Sequence, residues 1–254
     1  MSFNSNGYLI GPNTPIVDGL MLYLDPANET SYNGSGTWND LSGLGNDFTP
    51  ENGISNADLQ EANYYNSWKL DPTNEKFKID SNIYFLPGTS NFTIQMWINR
   101  DSSTRLECFF AKGGGQPNTF LMATTDGMSG GDFIRGEQFA GVIQYSNTRF
   151  SQYATTSLTA GVWRNLTWAF SRTANKMYIN GEEATTDYGS GDSDDWDTNT
   201  TLNNSYSVEI GGLYTRGYDY YWSSSAIGPV FFYNRQLSAE EVKHNYQLHA
   251  NRFG

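Results

Sequence analysis

Short apolar runs, separated by clusters of Gly, Asn, Asp and Pro, recur along the chain from Gly19 onward. That rhythm is the one expected of a β-sandwich or barrel. Leu20-Met21-Leu22-Tyr23-Leu24 is a continuous apolar run stopped by Asp25-Pro26, which predicts a strand buried on both faces. Phe92, Ile94, Met96 and Ile98 alternate with Thr93, Gln95 and Trp97, a period of two that sends one set inward. Arg164, Leu166, Trp168 and Phe170 alternate in the same way with Asn165, Thr167 and Ala169. Between Lys176 and Thr186, Asn180-Gly181 separates two strand-like runs. Both residues tolerate positive φ, so they predict a hairpin closed by a type I′ turn. Val208 and Ile210 lead into Gly211-Gly212, and Ala226 to Tyr233 reads as a last strand, whose Pro229 calls for a sheet edge or a bulge.

The two ends break this rhythm. Residues 1–18 carry Gly7, Gly11, Pro12 and Pro15 among scattered apolar positions and read as an arm that adds little core. At the other end Ser238-Ala239-Glu240-Glu241 is a capping box, with Leu237 and Val242 placed for a hydrophobic staple. Val242, Tyr246 and His249 then share one helical face, which predicts a short helix packed on the sandwich. No internal repeat and no linker divides the remainder. The expected organisation is an arm, 1–18, and one all-β domain, 19–254: a jelly-roll sandwich of two antiparallel sheets with a short C-terminal helix.

Composition narrows the function. Charged residues make up only 17% of the 254 while aromatics reach 15%, so Asn, Ser, Thr and Gly must solvate much of the surface, as suits strands and loops. The 27 Asp and Glu against 15 Lys and Arg give a net charge of −12, which repels phosphate backbones and anionic membranes. Nucleic acid is therefore not an expected partner. No run is long and apolar enough to span a bilayer, and Met1-Ser2-Phe3-Asn4-Ser5-Asn6 lacks the basic start and apolar stretch of a secretory signal. The single cysteine, Cys108, is followed by Phe109 and Phe110; it forms no intrachain disulfide and reads as a buried thiol.

The order of motifs resembles a known family. Trp38-Asn39-Asp40-Leu41-Ser42-Gly43, followed by Gly45-Asn46, is similar to the early signature of laminin-G-like domains in the concanavalin A-like lectin and glucanase superfamily. Phe92 to Asn99 resembles their FTIxxWI strand, Ala111 to Gly114 their SKGG turn, and Leu158 to Ala169 their LxxGxW segment. Met177 to Gly181 matches LYVNG, and Gly228 to Val242 resembles the closing IxxVxxYNRxLSxEEV. The likeness runs from about Gly19 to Tyr246. Most of these residues read as structural: Trp97, Trp163 and Trp168 as packing, Asp40 and Ser42 as turn hydrogen-bonders. Many family members carry an Asp after the Ile of the last strand, whereas here Ile227 precedes Gly228-Pro229, so no role of that carboxylate carries over. The ending Asn251-Arg252-Phe253-Gly254 is similar to that of stand-alone domains encoded by bacteriophages.

Two constellations are candidates for chemistry. Asp187, Asp192, Asp194, Asp195 and Asp197 lie with Gly189, Gly191 and Trp196 in a long loop. Carboxylates on such a loop suit Ca²⁺, and the resemblance implies a rim calcium with Asp126 and Asp132 as second contributors; a solvated acidic loop is the alternative. Tyr214, Arg216, Tyr218, Asp219, Tyr220, Tyr221 and Trp222 form an aromatic and polar cluster, open to three readings: a sugar site, a protein-binding surface or a packed loop. Tyr145, Arg149 and Tyr153 would extend it. A catalytic reading has less to stand on. The laminarinase-type acidic signature is absent, and Glu182-Glu183 are adjacent, so a strand sends them to opposite faces. His244 and His249 share the terminal helix without a Ser or Cys partner nearby in sequence, and Gly113-Gly114-Gly115 lacks the continuation of a phosphate loop.

The expectation is a non-enzymatic bacteriophage virion protein, a decoration, fibre or tail-associated component. It would present a lectin-like, glycan-binding surface and be tethered to other virion proteins by its arm, as a homo-oligomer or part of a symmetric assembly. The alternative is a calcium-assisted carbohydrate-binding module of a bacterial extracellular protein.

Overall fold

The computed structural model describes residues 2–3, 9–10, 13–60, 66–71, 74–79, 91–101, 107–113, 119–124, 137–145, 148–171, 174–189, 206–214 and 220–254. The strands of the first half are β1 (Ser2–Phe3), β2 (Leu9–Ile10), β3 (Leu20–Leu24), β4 (Thr49–Glu51), β5 (Leu59–Gln60), β6 (Ser67–Lys69), β7 (Lys76–Ile79), β8 (Phe92–Asn99), β9 (Cys108–Lys112) and β10 (Thr119–Thr124). Those of the second half are β11 (Gln138–Tyr145), β12 (Thr148–Ser157), β13 (Trp163–Phe170), β14 (Lys176–Ile179), β15 (Glu182–Glu183), β16 (Thr186–Tyr188), β17 (Val208–Ile210), β18 (Gly212–Tyr214), β19 (Tyr220–Trp222) and β20 (Ala226–Tyr233). Helix α1 (Ala239–Phe253) follows. One sheet runs β15-β14-β13-β8-β20-β6-β5, with β3 also paired to β20; the other runs β16-β12-β11-β10-β9-β17-β7-β4. Every strand pair in both is antiparallel, and the two sheets close face to face as the expected jelly-roll sandwich.

The period-two alternation builds the interior. Phe92, Ile94, Met96 and Ile98 of β8, Leu166, Trp168 and Phe170 of β13, and Phe110, Phe120, Met122 and Phe150 from the facing sheet form one buried cluster. The sheets meet so closely that a Cβ on Gly141 would lie 2.4 Å from the Trp168 ring, so only glycine fits beneath that indole. The Asn180-Gly181 turn has φ of 54° and 76°, and its flanking residues Ile179 and Glu182 pair directly, as the two-residue hairpin requires. Pro229 sits where the pairing of β20 with β8 slips between Ile227 and Val230. That is a bulge in a central strand, so the edge alternative falls away. Cys108 is fully buried and burial pushes its thiol well above the usual range.

Helix α1 changes what the outward positions mean. Thr93, Gln95 and Trp97, on the face away from the core, are buried as well. Gln95 donates to Asn165 Oδ1 and to the carbonyl of Val242 on the helix, and Trp97 stacks on Phe253 and Tyr246. The helix begins at the expected capping box: Ser238 Oγ accepts from the Glu241 amide and Glu241 accepts from the Ser238 amide. Glu241 also takes both terminal nitrogens of Arg235, at 2.8 and 2.7 Å. Leu20–Leu24 is only half as buried as its unbroken apolar run predicts: Leu22 and Leu24 are fully covered, while Tyr23 on the other face is partly open and meets His249.

The arm is anchored at its inner end. Ile16, expected to add little core, is 2% exposed among Ala169, Tyr178, Phe231, Tyr233, Leu237 and Val242. Buried Asn245 accepts the Ile16 amide through Oδ1 and donates to the Tyr233 hydroxyl, which donates to the Ile16 carbonyl. Arg235 binds the Asp18 carbonyl and carboxylate, and His244 lies 2.8 Å from the Thr14 carbonyl. Both polar groups of one arm residue are thus satisfied by side chains reserved for them.

Two outcomes are expected. Deleting residues 2–13 leaves the melting temperature nearly unchanged, whereas Ile16→Ala costs about 2–4 kcal/mol in denaturant unfolding, and deletion through residue 17 costs more, because it also strands Asn245 and Tyr233. Separately, burial lowers the pKa of His249 to about 4, against the pull of Asp25 and with help from Arg252. The unfolded chain therefore binds the extra proton between about pH 6.5 and 4. Stability contributed by the neutral imidazole is complete above that window and is lost as the pH falls through it, by up to about 3 kcal/mol. His249→Gln should flatten this part of the pH profile measured by chemical denaturation.

Candidate functional site

Two turns that local chemistry sets shape a cleft among the described residues. Ser55-Asn56-Ala57-Asp58 forms a 3₁₀ turn closed by its own capping box: the Ser55 amide and hydroxyl both donate to Asp58 Oδ2, at 2.8 and 3.2 Å. Gly34 and Gly36 take φ of 98° and 76° on either side of Ser35, a loop conformation that side chains disfavour. Between these turns lies a cleft of about 400 Å³, lined also by Tyr32, Pro50, Ile54, Asn56, Ala57 and Trp68. That volume falls at the small end of ligand sites.

Its floor is rigid. Trp68 on β6 pairs with Leu59 on one side and Ile227 on the other, and its ring meets Tyr32 edge-on, with centroids 4.6 Å apart. Trp38 and Phe77 back the same indole. The Tyr32 hydroxyl donates to Asn56 Oδ1 at 2.5 Å, which ties the floor to the exposed rim. Burial, and secondarily Asp58, raises the pKa of that phenol above its ordinary value, so it stays a neutral donor. Among the described residues that line the cleft there is no Lys, Arg, His, Asp or Glu. Its walls are aromatic and aliphatic, and its polar groups are an amide, hydroxyls and backbone.

The residues singled out from sequence fare differently. Asp126, Asp132, Asp192, Asp194, Asp195 and Asp197 lie outside the described residues, as do Arg216, Tyr218 and Asp219. Tyr214, Tyr220, Tyr221 and Trp222 fall on the small hairpin β18–β19. There the Trp222 ring packs against the Cα of Gly212, where a Cβ would come within 2.5 Å, and Lys76 Nζ sits 5.6 Å from the ring centroid. Tyr153, a suggested extension, is 5% exposed and donates to Asp187. Among the described residues no group of three or more His, Cys, Asp or Glu is placed to hold a metal.

Two of the buried carboxylates, Glu107 and Glu209, are held in ion pairs. Glu107 pairs with Arg100 at 3.0 Å, both almost fully buried, and accepts from the Ser224 amide and from the Ser224 and Ser225 hydroxyls. Glu209 pairs with Lys76 at 2.8 Å. Glu182 and Glu183 are exposed and held by Lys243 and Lys176.

Sequence reasoning did not find the cleft. Tyr32, Asn56 and Trp68 stand far apart in the chain, and only the Ser55-x-x-Asp58 cap and the Gly-Ser-Gly loop leave a local trace.

Comparison with known proteins places the fold. No curated protein sequence matches the chain significantly. Among solved structures, domain 4 of an extracellular GH43 arabinanase from Geobacillus stearothermophilus, in complex with arabinotriose, is similar at a TM-score of 0.59 and 14% identity, covering 88% of this chain and 96% of that one. Botulinum neurotoxin type C, whose cell entry depends on two ganglioside molecules, gives a TM-score of 0.63 at 14% identity, covering 91% of this chain and 51% of the toxin chain. A Trypanosoma rangeli sialidase, in complex with sialic acid, gives 0.60 at 15% identity, covering 93% of this chain and 34% of the sialidase. The chain thus spans about half or less of the last two, and at these identities the likeness is one of fold. A laminin-G-like family profile, described as the Concanavalin A-like lectin/glucanases superfamily, matches residues 71–243. With about two thirds of its length matched, and with the sandwich in place, the chain belongs to that laminin-G-like family.

Proposed function

We propose that this domain is a non-catalytic carbohydrate-binding module and that the cleft of Tyr32, Trp68 and Asn56 is its sugar site. The observation that carries the reading is the make-up of the cleft: a preorganised aromatic floor with neutral amide and hydroxyl groups at its rim. A sugar ring presents an apolar C–H face and a fringe of hydroxyls; Pro50 and Ile54, with the little surface that Tyr32 and Trp68 leave open (7% and 1%), answer the first, and the amide and hydroxyls the second. The volume of about 400 Å³ accommodates a mono- or disaccharide. Two similar folds belong to proteins that were solved with a saccharide, which supports the same reading.

The absence of a carboxylate among the described residues that line the cleft supports binding without hydrolysis, because glycoside cleavage needs an acid and a second carboxylate flanking the bond. Glu107 and Glu209, each locked in an ion pair, are poor substitutes.

A place on a bacteriophage virion is part of the proposal, with the arm as tether. Its support is the bacteriophage-like ending of the chain and the layout of strand β20. Ile227, at one end, pairs with Trp68 of the cleft, whereas Tyr233, at the other, holds Ile16 of the arm. About six residues of strand, roughly 20 Å, separate attachment from display.

Ser35→Trp plugs the rim from an exposed position without touching the core. It should weaken binding of short oligosaccharides such as arabinotriose at least about tenfold in calorimetric titration, at unchanged melting temperature. Unchanged affinity would remove the cleft from the proposal. For the tether, the folded variant lacking residues 2–13 should fail to enter its assembly; full incorporation would defeat that role.

A further inference from the structure

The charges just outside the cleft bear on which sugars it accepts. The Asp58 carboxylate lies 3.2 Å from the hydroxyl of Ser55, a lining residue. Glu75 lies behind the next turn, with Oε1 4.0 Å from the Cβ position of Gly53, and accepts the Asp71 amide at 2.6 Å. Neither Asp58 nor Glu75 forms an ion pair among the described residues. The nearby cations are engaged elsewhere: Lys76 with Glu209 and Glu51, Lys78 with Glu51. Among the described residues the cleft lining therefore holds no cation, and Asp58 beside its rim and Glu75 behind it have no counterion.

Burial, then Asp58 and Asp71, raises the pKa of Glu75 despite its hydrogen bond to the Asp71 amide. Negative potential thus gathers around the turns that frame the cleft, on a chain whose net charge is −12. Fixed carboxylates a few ångströms from a bound ligand repel an anionic group by an amount that salt screens.

We propose that the cleft selects uncharged saccharides and discriminates against acidic ones, those carrying sialic or uronic acid residues, through Asp58 and Glu75. The inference rests on the reading of the domain as a carbohydrate-binding module.

The test is titration of the full chain with matched pairs: lactose against 3′-sialyllactose, and cellotriose against trigalacturonate. At least one neutral member should bind, and its acidic partner should bind about tenfold more weakly at low ionic strength, the gap shrinking to about twofold in roughly 0.5 M salt. Asp58→Asn keeps an acceptor for the Ser55 amide, and Glu75→Gln keeps one for the Asp71 amide, so both variants are compatible with the fold. Each should narrow the gap by raising affinity for the acidic sugar while leaving the neutral one unchanged. Acidic sugars binding as tightly as neutral ones, or a gap indifferent to salt and to both substitutions, would overturn the selectivity and leave the binding function standing. If no member of either pair binds, the carbohydrate-binding reading falls, and the selectivity with it.

Discussion

The sandwich depends on one aromatic layer between its sheets. Phe92 on β8 stacks on Phe170 at 5.0 Å and on Phe232 at 6.1 Å, and meets Trp168 edge-on at 5.1 Å, all within one sheet. Phe110 and Phe120 reach up from the other sheet to Phe232 and Phe92. Such rings bury large areas and fix their mutual angles, so the layer sets the spacing of the sheets as well as their adhesion. Gly141 is the clearest consequence: its missing side chain lets the opposing strand approach the Trp168 indole.

Helix α1 and the inner end of the arm complete what that layer begins. A strand whose two faces are both covered cannot leave polar groups unpaired without cost. Gln95 accordingly donates to Asn165 and to the helix, and Thr93 bonds the segment before it, although Gln95 Oε1 and Asn165 Nδ2 stay without a partner. The same economy governs Asn245, which joins Ile16 to Tyr233. The terminal helix is therefore part of the core, and the arm is fastened to it by a single buried residue. At the far end of β20 the floor of the cleft is held by the same sheet, so a ligand would meet a surface that has little freedom to adjust.

Some of this was readable from a few neighbouring residues. The Asn180-Gly181 turn, the capping box at Ser238 and the inward set Phe92, Ile94, Met96 and Ile98 each follow from local backbone geometry or from a period of two. Other features gave way when distant chain arrived. Thr93, Gln95 and Trp97 look like a solvent face in sequence, yet α1, more than a hundred residues later, covers them. Ile16 looks like part of an unstructured arm, because nothing near it in sequence announces the slot formed by Tyr233 and Asn245. The aromatic cluster ending in Trp222 has the composition of a binding surface. In the folded chain that indole packs on Gly212 beside Lys76.

By itself the sequence determined the strands at Leu20, Phe92, Arg164, Lys176, Val208 and Ala226, the Asn180-Gly181 turn, the terminal helix and the likeness to the laminin-G-like family, because those rest on periodicities and short motifs that act within a few residues. Only the tertiary structure decided where a ligand can sit. Tyr32, Asn56 and Trp68 meet because β6 pairs with β20 while the Ser55 turn folds back over the loop at Gly34. Their approach is a product of sheet pairing and ring packing across long stretches of chain, and no local pattern encodes it.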